Sequence, residues 1–162
     1  MKRPVPWWLI ISSLVAALAL MLLPMPHWLI HLQPFWVAMV LMYWWIEAPE
    51  RVGLTSGFVC GLAVDLLMGD ILGLHAMGLL FSGFIALRFQ RQLRLFPVWQ
   101  KAVAVLGLLL NERLIYLTVL FLSNHPLPDW RIWLPPFVGV ALWPWLFLLL
   151  DDLRVRTRIR KR

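Results

Sequence analysis

Six apolar stretches, at about residues 7–23, 34–49, 53–69, 71–88, 98–123 and 133–150, occupy most of this chain, and only short connections separate them. A membrane crossing needs about 20 apolar residues, or roughly 17 at the short end, so the stretches predict about six transmembrane helices. The second and third are short enough to be tilted, re-entrant or shielded by their neighbours. Composition points the same way: 62% hydrophobic residues, 14% charged residues and a mean hydropathy of +0.79 describe an integral membrane protein and not a soluble domain. The expected fold class is all-α, one membrane domain over 1–162 with a basic tail at 151–162, because no connection is long enough to bury a second core.

The first stretch must be told apart from a cleavable signal peptide. Lys2 and Arg3 precede it, but the small-residue triplet Ala17-Leu18-Ala19 lies inside the apolar run and not after it. An uncleaved first helix is expected.

Charge placement gives an orientation. With six crossings, thirteen of the fifteen basic residues fall on one side: Lys2, Arg3, Arg51, Arg88, Arg91, Arg94, Lys101, Arg154, Arg156, Arg158, Arg160, Lys161 and Arg162. Arg131 falls on the other side and Arg113 inside a stretch. Lys and Arg collect on the cytoplasmic side, so both termini are expected there. The formal charge of +7 is then an orientation signal; the charges flank apolar stretches, and no nucleic-acid-binding module surrounds them. The tail from Arg154 to Arg162 suits anionic lipid headgroups, each basic residue contributing about 1 kcal/mol, or an acidic surface on a partner protein.

Aromatic residues follow the same frame. Trp7, Trp8, Tyr43, Trp44, Trp45 and Trp99 fall near the inner boundary, and Trp28, Trp36, Trp130 and Trp133 near the outer one. Trp143 and Trp145 flank Pro144 deep in the last stretch, where they fill a helix kink or meet a neighbouring helix.

Gly53, Gly57, Gly61, Asp65, Gly69 and Gly73 recur every four residues. On a helix that spacing keeps neighbouring members on one face, so Gly57, Gly61, Asp65, Gly69 and Gly73 are the candidate groove for helix packing or a partner. The groove takes either a partner's transmembrane helix or span four or five of the same chain. A carboxylate in lipid needs a partner, a proton or a protein-lined pocket. Glu47, near the inner end of the second stretch, and Asn111, Glu112 and Arg113, mid-way along the fifth, are the other polar groups placed in apolar surroundings. Glu112 and Arg113 diverge by about 100° on a helix, so at least one is expected to pair across the bundle. Arg113 with Asp65 is the expected pair, giving a polar cluster of Asp65, Asn111, Glu112 and Arg113. Asp70 is expected to cap the fourth helix.

Catalytic signatures are absent from the sequence: it has no HExxH, no GxSxG and no phosphate-cradling glycine loop before a Lys. His27, His31 and His125 match no compact metal-ligand spacing, so neither metal nor cofactor is expected. Cys60 is the single cysteine, so no intramolecular disulfide is expected and the residue reads as a buried small side chain.

The segment Gly57-Phe58-Val59-Cys60-Gly61-Leu62-Ala63-Val64-Asp65-Leu66, followed by Gly69 and Leu72-Gly73-Leu74, resembles the signature of the rod shape-determining MreD family. Gln33-Pro34-Phe35-Trp36-Val37 with Tyr43-Trp44, and the late Leu142-Trp143-Pro144-Trp145, are similar to proteobacterial members. The resemblance covers almost the whole chain. It departs at Asn111-Glu112-Arg113, where family members often carry a lone acidic residue, which puts in question whether Glu112 serves the family's usual role.

The resemblance implies a non-enzymatic inner-membrane adaptor that works with the bitopic protein MreC, the actin-like MreB filament, the polymerase RodA and a class B transpeptidase in lateral peptidoglycan synthesis. It also implies a fold similar to the six-helix substrate-binding subunits of energy-coupling-factor vitamin transporters. The alternative reading is accordingly a small-molecule binding subunit of an importer, with Trp28, Trp36, His75, Trp130 and Trp133 as pocket candidates. Fold alone does not choose between them. An intramembrane enzyme acting through Asp65 or Glu112 is the third.

Overall fold

The computed structural model describes residues 5–159, with side chains through Thr157. Lys2, Arg3, the Arg158 side chain, Arg160, Lys161 and Arg162 lie outside the described residues. Six α-helices, α1 (Trp7–Leu22), α2 (Trp36–Glu47), α3 (Leu54–Met68), α4 (Leu74–Leu95), α5 (Val98–Leu122) and α6 (Leu134–Ile159), form an all-α bundle. Short 3-10 turns at Ile30–Leu32 and Trp130–Trp133 precede α2 and α6, and no strand occurs among the described residues.

Proline and glycine set most of the boundaries. Leu23 and Phe96 are extended, with ψ of 127° and 143°, because the prolines that follow them disfavour helical backbone in the preceding residue. Pro97 then starts α5, where a missing N–H costs nothing. Gly69 ends α3 at φ 71°, a left-handed conformation that only residues without a Cβ adopt at low cost. Pro144 lies within an unbroken α6. The helices α4 and α6 run well past the apolar stretches that announced them, since Arg and Gln continue a helix readily after the hydrophobic length has ended.

At the centre is α2. It touches all five other helices, and every residue from Val37 to Ile46 is buried. Its twelve residues reach only about 18 Å, well short of the roughly 30 Å of a hydrocarbon core, so it sits sheathed in protein. Outward positions are large and apolar: Trp8, Val59, Leu66, Phe84, Val103, Phe121 and Leu148 are all exposed. Buried positions include Asp65, His75, Ser82, Lys101 and Glu112. Apolar outside with polar groups inside is the arrangement of a bundle solvated by lipid. Two segments, Val98–Leu122 and Trp130–Thr157, are long and apolar enough to cross a membrane; Trp7–Leu22 and Leu54–Met68 are apolar but shorter. The tryptophans beside Pro144 part company: Trp143 is fully buried near Phe147, and Trp145 points outward.

Candidate functional site

The glycine run does not form one continuous groove. Gly57 and Gly61 lie within α3, whereas Gly69 and Gly73 belong to the turn into α4 and hold φ values of 71° and 98°. They serve chain reversal, and a groove of five members is corrected to two glycines and Asp65. That shortened groove is filled from within the chain. A Cβ on Gly61 would lie 2.3 Å from Ala76 Cα, so α3 and α4 meet backbone to backbone there. A Cβ on Gly57 would lie 2.6 Å from the Trp45 ring, and one on Gly83 of α4 would lie 2.7 Å from the same ring. Trp45 is thus an indole from α2 clamped between two helices, its Nε1–H donating to Gly53 O at 3.2 Å. Gly83 was not singled out from sequence; its place four residues from Leu79 and five from Gly78 is the only trace of the slot.

Asp65 is fully buried and works as a cap for α4. One carboxylate oxygen accepts from Gly73 N at 2.8 Å, and the other from His75 N at 2.8 Å and His75 Nδ1 at 2.9 Å. Ala76 N adds a longer contact of 3.5 Å. The first backbone N–H groups of a helix have no intrahelical acceptor, and a carboxylate from α3 supplies one while meeting the positive end of the helix dipole. This corrects two expectations. Arg113 is not the partner of Asp65, because backbone donors and His75 already surround the carboxylate. Asp70 does not cap α4; it sits in the turn with its carboxylate 3.8 Å from His75 Nδ1.

The other polar residues divide into separate contacts. Asn111 donates to Ser82 Oγ at 3.2 Å, and Ser82 Oγ donates to Leu108 O at 3.1 Å, which ties α4 to α5. Glu112 and Arg113 do not reach across the bundle: Arg113 Nε bends back to 3.6 Å from Glu112 Oε2. The long arginine stem makes that possible despite the angular divergence of adjacent residues. Glu112 is 1% exposed, fits against Gly78, and neither of its oxygens has a hydrogen-bond partner. The predicted cluster of Asp65, Asn111, Glu112 and Arg113 is therefore three neighbouring sets of contacts and not one.

A second polar assembly, unforeseen from sequence as a unit, closes the end of α2. Glu47 accepts from Lys101 Nζ at 3.2 Å and from Arg154 Nη1 at 2.6 Å. Arg154 also meets Asp151 at 3.0 Å, and Arg94 donates to the Ile46 and Glu47 carbonyls at 3.1 and 2.8 Å. Cations at a helix C-terminus satisfy its free carbonyls and its dipole. Arg51 stacks over Trp7 5.2 Å from the ring centroid. Four helices are thereby joined at one end through residues whose sequence signal was only their sign.

The opposite end holds a cleft of about 320 Å³. Its walls include Phe35, Asp70, His75, Arg113, Tyr116 and Arg131. Of the pocket candidates from sequence only His75 lines it; Trp28 and Trp130 are exposed elsewhere, and Trp36 and Trp133 are not among the lining residues. His31 also reaches the cleft, whereas His125 Nδ1 meets Ser123 O at 2.9 Å. Among the described residues no group of three or more His, Cys, Asp or Glu is arranged to hold a metal. Cys60 is a free, half-buried thiol.

Comparison with known proteins places this architecture. No solved structure matches the chain. The rod shape-determining protein MreD of Haemophilus influenzae is 33% identical over 153 residues, covering 94% of each chain. The family profile described as rod shape-determining protein MreD matches residues 1–153, from α1 through most of α6. The chain belongs to the MreD family of rod shape-determining proteins.

Proposed function

We propose that the chain is a non-enzymatic adaptor of the bacterial cell-elongation complex, crossing the inner membrane six times with both termini in the cytoplasm. Its partners in this reading are an MreC-like bitopic protein and, with it, MreB, RodA and a class B transpeptidase in lateral peptidoglycan synthesis. The observation that carries the reading is family membership over residues 1–153. The polar groups support an adaptor over an enzyme: Asp65 is surrounded by donors that hold a helix start, and Glu47 by cations that close a helix end. Both acids are engaged in architecture. The gathering of Arg51, Arg94, Lys101 and Arg154 at one end supports a cytoplasmic placement of that end.

Because Ala76 and Trp45 occupy the Gly57 and Gly61 surface, we assign partner docking to the lipid-facing exterior. The basic tail rests on anionic headgroups. The test is affinity capture of the full chain from its source bacterium into nanodiscs, followed by native mass spectrometry. A retained bitopic protein supports the adaptor; a chain recovered without any protein partner contradicts it. The cleft is the one observation favouring the small-molecule binding subunit, and a nutrient-uptake defect on depletion would favour that reading.

A further inference from the structure

The cleft contains two groups with hydrogen-bonding capacity that the chain itself does not use. Arg113 is 13% exposed at its side chain, yet none of its five N–H donors makes a hydrogen bond among the described residues. Glu112 approaches only the Nε edge, at 3.6 Å, which leaves the terminal nitrogens free. The guanidinium lies beside the Tyr116 ring, its Cζ 5.5 Å from the centroid, and that ring lies 5.2 Å from the His75 ring. His75 is 7% exposed. A carboxylate only accepts, so His75 donates from Nδ1 to Asp65, and in the neutral ring Nε2 is then an acceptor. Nε2 has no partner among the described residues. Phe35 packs edge-on against the same ring and, with Asp65, fixes its orientation. The terminal nitrogens of the guanidinium and the rigidly held imidazole both line the cleft, so each is open to a ligand that enters it.

We propose that the cleft binds a carboxylate, received by the terminal nitrogens of Arg113, on a molecule that also offers an N–H donor to His75 Nε2. The guanidinium fork matches a carboxylate in a bidentate manner. Asp70, on the same wall, favours an N–H or ammonium group beside the imidazole and disfavours a second anion there. Arg131 is already drawn toward Asp129, 3.8 Å away, and leaves the central role to Arg113. A volume of about 320 Å³ suits an amino-acid-sized group, at the small end of ligand pockets. The chemistry is shared by a free amino acid and by an acidic residue of a polypeptide lying in the cleft. The inference does not depend on the adaptor reading.

The experiment uses the purified full chain in nanodiscs and three probes: free glutamate, glutamate capped as N-acetyl-glutamyl-methylamide, and glutarate, which has no N–H. Binding is read from 15N shifts of the Arg113 guanidinium and the His75 ring and from thermal stabilisation. Saturable binding with a Kd of about 1 mM or tighter is expected for one of the glutamate probes, with glutarate weaker. Arg113→Gln is expected to weaken it by about tenfold or more, and Arg113→Lys by less. His75→Gln is expected to narrow the gap to glutarate. Tighter binding of the capped probe identifies a polypeptide acid as the source; tighter binding of the free probe identifies a small molecule. No saturable 15N response of the wild-type chain to any probe, or unchanged affinity in Arg113→Gln, overturns the proposal and leaves the cleft to water. The wild-type spectra decide even if the variants fail to fold.

Discussion

At the scale of single residues, the close approach of α3 and α4 depends on the absence of one methyl group. Gly61→Ala places a Cβ against Ala76 backbone, which has no side-chain freedom to yield, so a loss of about 1–3 kcal/mol is expected from overpacking. Gly107→Ala is the matched control: nothing lies within 4 Å of its Cβ position, and the change should be neutral or stabilising by up to about 1 kcal/mol. Unfolding of both variants in the same detergent separates packing from intrinsic helix propensity. Asp65→Ala removes the acceptor for three short N–H contacts, and the unsatisfied donors cost about 1–3 kcal/mol each in a dry site. Asp65→Asn should recover part of that loss. The four-residue glycine spacing made Gly57, Gly61 and Asp65 legible as one face, because helical periodicity is a local property. The partner of Asp65 was not legible. It is shared between backbone N–H groups at the start of α4, which leave no mark on a sequence, and the His75 ring, which only folding brings to the carboxylate.

Among the elements, α2 depends most on its surroundings. Ten consecutive buried residues and a length of about 18 Å mean that it is held by the other five helices and by the cations at its C-terminal end. Glu47→Ala leaves Lys101 and Arg154 partly buried without their shared carboxylate, and a loss of about 3–5 kcal/mol is expected. The double change Glu47→Ala with Lys101→Met should regain a measurable part of it, since one unpaired charge is then gone. Strictly additive losses in chemical denaturation would show that the three residues do not act as a unit. The apolar stretches announced all six helices to within a few residues at most of their ends, because proline and glycine mark boundaries chemically. The ends of α4 and α6 were misjudged, since hydrophobic length and helix length are different quantities. The same confusion hid the Glu47 assembly: Lys101 and Arg154 were counted as orientation charges, whereas folding brings them to an acid far away in sequence.

For the whole molecule, apolar residues outside and polar contacts inside are what lipid demands, and family membership gives that architecture a cellular setting. The proposed six crossings with both ends cytoplasmic predict that a periplasm-dependent reporter fused after residue 157 stays inactive, whereas one inserted in the connection between α5 and α6 is active. Reversal of that pattern would contradict the orientation drawn from the basic residues. The class of protein was readable from composition because bilayers impose it on nearly every position. The cleft was not, because Arg113, Tyr116 and His75 come together only when α4 and α5 pack. The central claim, that the bundle directs cell shape as an adaptor, is tested most directly by depleting the chain in its source bacterium and following morphology by microscopy. The account predicts rounded cells that regain their rods when the wild-type chain is restored. Cells that stay rod-shaped and instead fail to take up a nutrient would contradict it.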